Sequence, residues 1–252
     1  MKKTFYLAFF VLTLSLCGCE YSYSNENSEP QAGDNANATQ GTDNNGVDNN
    51  GAVPQGADAV ESGDTEPVSE SDVEVVAEYS LASIDDTEYF LVVKNNSKKA
   101  VRIYSAAIAY NGKGEEIGAA EGAVDDLPSG CETVIFNEFR LTTNVKKFKY
   151  DLEVVEETFY QPAIQNVKVT TKRLDRKVIV KCKNVGKDDI EHLYVTVLFF
   201  KGKKLVKYSS EYFMNSNFLI VPGKEITKQF INYKQFDDVK VYLSGKIYKE
   251  SE

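Results

Sequence analysis

Tryptophan is absent from the 252 residues, and histidine occurs once, as His192. Without tryptophan the chain lacks the best ring-stacking platform for sugars, although 15 tyrosines are available for that role. A lone histidine, with no second histidine and no cysteine pair at ligand spacing nearby, leaves almost nothing from which to build a zinc site. No Gly-x-Ser-x-Gly elbow, phosphate-cradling glycine loop or suitably surrounded general base occurs. No metal and no other cofactor is expected. Cysteine is scarce as well: Cys17 and Cys19 fall at the very start, so only Cys131 and Cys182 are left for a folded region. Two cysteines make no disulfide framework, and a bridge between them would need Cα atoms within about 7 Å. Basic residues are missing altogether from Glu20 to Asp72, a stretch that carries 12 acidic ones.

The residues that are present begin with a tripartite leader. Met1-Lys2-Lys3 is positive, Thr4 to Leu16 is apolar but too short to span a bilayer, and Leu16-Cys17-Gly18-Cys19 follows. This last tetrapeptide resembles the lipobox of bacterial lipoproteins. The resemblance implies removal of residues 1–18, a lipid on the Cys19 sulfur, and anchoring on the outer side of a cell membrane. Residues 19–72 are rich in Asn, Gly, Asp, Glu and Ser, too poor in apolar surface to offset chain entropy, and are expected to form a disordered acidic tether. The pair Asp43-Asn44-Asn45-Gly46 and Asp48-Asn49-Asn50-Gly51 lacks the alternation and the closing glutamate of a calcium loop.

From Val73 onward the sequence repeats itself. Phe90-Leu91-Val92-Val93-Lys94-Asn95 aligns with Ile179-Val180-Lys181-Cys182-Lys183-Asn184. The segment Ile103 to Lys113 aligns with Leu193 to Lys203, Leu127-Pro128 with Val221-Pro222, and Val145 to Leu152 with Phe236 to Leu243. Two tandem repeats follow, 73–162 and 163–252. Alternating apolar and polar positions bounded by Asn, Gly and Pro predict strands near 73–80, 88–94, 100–110, 115–123, 132–140 and 145–156 in the first. The second should hold strands near 166–173, 176–183, 190–200, 204–213, 225–233 and 239–248. The fold class expected is all-β, with two tandem β-sandwiches. The asparagine after the second strand, the aromatic end of the third, the Gly-Lys turn and the later Pro222-Gly223-Lys224-Glu225 are similar to those of the FxLYD-type immunoglobulin-like modules of surface lipoproteins. That resemblance implies immunoglobulin-like domains acting as an interaction or spacer module, with no defined active site.

Charge divides the repeats: 9 basic and 16 acidic residues give −7 for 73–162, and 18 basic and 10 acidic give +8 for 163–252. The basic repeat is a candidate for anionic polymer or lipid. Paired acids such as Asp125-Asp126 and Glu156-Glu157 are expected at solvated strand ends, because neighbours on a strand point to opposite faces and cannot form a catalytic pair. No enzymatic activity is expected, although a role as accessory to a polysaccharide or wall enzyme is an alternative. The third strand of the second repeat is apolar on both faces, with Leu193, Val195, Val197 and Phe199 on one and Tyr194, Leu198 and Phe200 on the other. Two accounts are open: cover by the loop from Phe213 to Val221 or by the first repeat, or a docking surface that includes Leu193, Val195, Val197, Phe199, Phe218, Leu219 and Ile220. The partners expected are therefore the membrane, through the N-terminal lipid, and a surface protein or cell-wall polymer, with no nucleic acid.

Overall fold

The computed structural model describes residues 67–140, 145–215 and 218–248. Every long element in this region is an antiparallel strand. In the first half these are β1 (Val73–Ala82), β2 (Thr87–Asn95), β3 (Val101–Tyr110), β4 (Glu116–Leu127), β5 (Glu132–Phe139) and β6 (Lys147–Glu156). A short β7 (Tyr160–Pro162) leads into β8 (Val167–Leu174), β9 (Lys177–Asn184), β10 (Ile190–Lys201), β11 (Lys204–Tyr212), β12 (Leu219–Ile220), β13 (Glu225–Ile231) and β14 (Asp238–Tyr248). The only helices among the described residues are two single 3-10 turns.

The first half pairs its strands as two three-stranded sheets, β1-β2-β5 and β4-β3-β6. The second half repeats that order as β8-β9-β13 and β11-β10-β14, with β7 and β12 added to the latter. Inward-facing positions close each sandwich: Tyr89, Leu91, Ile103, Ile135 and Val154 in the first half, and Val178, Val180, Leu193, Val197 and Phe230 in the second. The fold is thus all-β with sandwich packing. Every one of the twelve strands expected from alternation is present; β7 and β12, at three and two residues, are too short to show a period.

The same hydrogen-bonded latch holds a corner of both halves. Asn95 Nδ2 donates to the Lys99 carbonyl at 2.7 Å and the Leu127 carbonyl at 2.9 Å, and its Oδ1 accepts from the Ser97 N–H. Asn184 does the same with Asp188 and Ile220, both at 2.7 Å, and with the Gly186 N–H. Both side chains lie within residues that are 0 % exposed. An apolar replacement would leave buried carbonyls without a donor, which typically costs more than a hydrogen bond contributes.

The chain passes from one half to the other along a fixed path. Glu157, whose side chain is 0 % exposed, takes Arg102 Nη2 at 2.8 Å and the Tyr160 N–H at 2.9 Å. Three residues later, β7 pairs with β14, so the last residues of the 73–162 segment belong to a second-half sheet. Glu157 is thereby a buried ion-pair partner and not the solvated strand end that the Glu156-Glu157 pair suggested.

The outer face of β1-β2-β5 meets the outer face of β11-β10-β14. Phe90 and Val92 pack with Leu198, Phe200, Leu205 and Tyr242 as a second apolar cluster, flanked by Tyr79, Leu81, Val134, Phe136 and Tyr208. Rings bridge the seam, with Phe90–Tyr208 centroids at 5.0 Å and Tyr79–Phe200 at 4.8 Å. Lys240 Nζ donates to the Tyr79 hydroxyl at 2.8 Å. Burial of these six residues is worth on the order of 10 kcal/mol before side-chain ordering is subtracted. Residues 67–252 accordingly belong to one compact unit.

The latch predicts that Asn184→Ala lowers stability by about 2–4 kcal/mol in urea denaturation, since two carbonyls lose their donor together. A loss below about 1 kcal/mol would show that water replaces the side chain without penalty.

Candidate functional site

Cys19, the expected lipid-bearing residue, lies outside the described residues, as does the acidic tether to Glu66. The candidate docking residues are a different matter. Leu193, Val195, Val197 and Phe199 are all 0 % exposed, and Ile220 is 1 % exposed. They point into the second sandwich and form its core, which corrects the docking account for these five residues. The face of β10 that meets another body is the opposite one, carrying Leu198 and Phe200, and that body is the first half. Cover by the first repeat was one of the two accounts of this strand, and here it applies to the face not singled out. Of the seven candidates Phe218 alone is exposed, at 57 %, while Leu219 is half-buried. Cys131 and Cys182 are both free thiols.

The seam leaves a recess where β4 of the first half comes beside β10 and β14 of the second. Asp125, Asp126, His192, Tyr194, Tyr212, Ser244 and Lys246 line it, around a volume of about 280 Å³. A neighbouring recess of about 300 Å³ continues between Phe90, Phe136, Tyr208 and Tyr242. Asp126 is 3 % exposed, and its Oδ2 has no hydrogen-bond partner among the described residues. Burial, with the Asp125 charge adding to it, pushes the Asp126 carboxyl up to about 8, while Lys246 and the Gly245 N–H act in the opposite direction. A carboxyl in this state carries a proton at neutral pH and can donate as well as accept. The expectation that Asp125-Asp126 forms a solvated strand end holds for exposed Asp125 and fails for Asp126.

A second surface lies on the far side of the molecule's basic half. On the outer face of β8-β9-β13, the register sets Lys168 opposite Lys183 and Lys183 opposite Glu225, with Thr170, Lys181 and Thr227 in the next row. Lys172, Ile179 and Gln229 follow, then Leu174, Lys177 and Ile231. Five lysines and one glutamate thus share a sheet face. Lys181 sits 3.6 Å from Glu225, and Lys177 Nζ donates to Gln229 at 2.7 Å. Like charges set directly across a ladder, as Lys168 and Lys183 are, disfavour the sheet unless an anion lies near. The equivalent face of the first half is the apolar one closed in the seam: Phe90 stands where Ile179 does, and Val92 where Lys181 does.

Among the described residues no group of three His, Cys, Asp or Glu is placed to hold a metal ion, and no described helix is long and apolar enough to cross a membrane.

No family model matches the chain, and no curated protein matches it. Among solved structures, the crystal structure of red sea bream transglutaminase aligns with 69 % of this chain and 29 % of its own, at 9 % identity and a TM-score of 0.24. The chain therefore spans less than a third of that enzyme's length, and a likeness this weak carries no argument about activity.

The lysine face was partly legible in the +8 charge of the second repeat and the alternating lysines of Val178 to Lys183. The recess was not, because nothing in the sequence shows that β4 lies against β14. Its one signal is Asp126 adjacent to Leu127 in a segment whose other acidic pairs sit at turns.

The raised Asp126 carboxyl gives a signed pH dependence. Its ordinary value is 3.8, so between about pH 4 and 8 the folded chain binds more protons than the unfolded one, and stability falls as pH rises. Compared with Asp126→Asn, the wild type should melt at nearly the same temperature near pH 4, fall progressively behind toward pH 8, and lose no more above that. A melting difference independent of pH would contradict the assignment.

Proposed function

We propose that this chain is a lipid-anchored, extracytoplasmic binding module that adheres to an anionic cell-wall polymer through the lysine face of β8-β9-β13. The lipobox resemblance at Cys19 supports the anchor, and the resemblance to tandem FxLYD-type immunoglobulin-like modules supports a role in contact without catalysis. The observation that carries the adhesive part is the contrast between equivalent sheets. The face that is apolar and covered in the first half is basic and open in the second, with Lys168, Lys172, Lys177, Lys181 and Lys183 in register.

A flat lysine face suits a polymer with regularly spaced charges better than a compact ligand. Each ammonium is a point charge on a flexible stem, able to follow such a chain. Binding of this kind gains from released counterions and weakens with salt. The acidic tether, by its sign, adds nothing to that attraction and would hold the folded part away from negatively charged lipid headgroups. The seam makes the two halves a rigid spacer that presents the face at a fixed distance from the β4-β3-β6 sheet.

Two measurements test this. The full mature chain should bind long-chain polyphosphate, and its affinity should drop roughly tenfold or more between about 50 and 200 mM salt. The Lys181→Glu, Lys183→Glu double variant should lose most of that binding. Salt-independent binding, or a charge reversal without effect, would overturn the proposal, and a preference for phosphatidylglycerol vesicles over polyphosphate would move the partner to the membrane surface. Mass spectrometry of the mature N-terminus should find Cys19 acylated; an unmodified start would remove the anchor.

A further inference from the structure

Two breaks in strand regularity, one from each half, face each other across the seam. On β4, Asp125 and Asp126 bulge between the pairs Ile103↔Val124 and Val101↔Leu127. On β10, His192 and Leu193 bulge opposite Gly245, between Glu191↔Lys246 and Tyr194↔Ser244. The corresponding stretch of the first half has no such break, since Arg102 and Ile103 pair regularly with Val155 and Val154. The second bulge is therefore not part of the repeated scaffold. It holds His192 at φ 50, in the left-handed region that few non-glycine residues enter and that carries a conformational cost. It also depends on Gly245, where a Cβ would stand 3.0 Å from Leu193 Cδ1 and 3.2 Å from its Cα. Bulges re-aim side chains, and here the two bulges bring Asp126 and His192 to one recess.

We infer that this recess is a binding site for a neutral saccharide, with Tyr212 as the ring platform and Asp126, His192, Ser244 and Lys246 as the hydroxyl partners. The lining contains donors and acceptors in mixed order, as a polyol requires, and no cluster of one sign that would hold an ion. Asp125 and Lys246 oppose each other in charge, and the buried carboxyl of Asp126 offers an oxygen with no partner among the described residues. Tyr212 is 47 % exposed, packs at 4.8 Å against Tyr194, and stands beside the His192 ring at 6.4 Å. A pyranose presents an apolar C–H face to such a ring while its hydroxyls reach the rim. Strain at His192 and an unsatisfied buried carboxyl both cost stability in the empty molecule, and one ligand would turn both to use.

The test is a glycan array of neutral hexose and N-acetylhexosamine oligomers probed with the full mature chain, followed by titration calorimetry with the retained oligomer. Titration with the soluble tetrasaccharide and co-sedimentation with the same sugar as insoluble polymer separate a free ligand from a wall glycan. Saturable binding is expected, weakened at least tenfold by Tyr212→Ala and by His192→Gly. The glycine variant should melt at the same temperature as wild type or higher, because it removes the strained residue. Lys181→Glu with Lys183→Glu should leave sugar binding intact, which separates this site from the lysine face. Retention of no neutral glycan, retention of anionic glycans only, or binding that survives both recess variants would overturn the inference.

Discussion

The contact on which the structure depends is the apolar seam between the outer faces of β1-β2-β5 and β11-β10-β14. A sandwich strand needs one apolar face, but β2 and β10 each carry two. The inward set of each closes its own half, and the outward sets, Phe90 and Val92 against Leu198 and Phe200, close on each other. Left in water, either outer face would be a large apolar patch prone to association. Their union fixes the angle between halves, places β4 beside β14, and so creates the recess. It leaves two outer faces open, that of β4-β3-β6 and the basic one of β8-β9-β13.

The two halves share one strand order and yet carry very different surfaces. The latch residues Asn95 and Asn184 hold the same three kinds of backbone partner in both halves, since losing any of them would orphan a buried group. Inward positions keep the alternation for the same reason. Outward positions are free of that constraint, so Phe90 and Val92 stand where Ile179 and Lys181 stand. One change of this kind makes an intramolecular interface and the other a charged exterior. The Arg102–Glu157 pair and the β7–β14 ladder then remove the freedom a linker between repeats would otherwise have.

Much of the fold was legible in the sequence because strands write their period into it. The twelve main strands, the repeat and the two-faced character of β10 all follow from alternation. What alternation cannot say is which of two apolar faces closes a core and which meets a neighbour. Cover and docking are therefore both open for Leu193, Val195, Val197 and Phe199 in the sequence; in the structure these four are the interior, and Leu198 and Phe200 meet the neighbour. The rule that adjacent acids on a strand face opposite ways is sound for Asp125 and Asp126, but it gives no hint that one of those ways leads to the packed seam. Bulges escape a two-residue period by definition, so His192 stood out only by its rarity.

Residual dipolar couplings of the weakly aligned chain test the central claim most directly. If the seam makes one body, amide couplings from 73–156 and 160–248 fit a single alignment tensor on the described geometry. Two tensors of different orientation or magnitude would show the halves moving separately, and the account of both surfaces would fail with them.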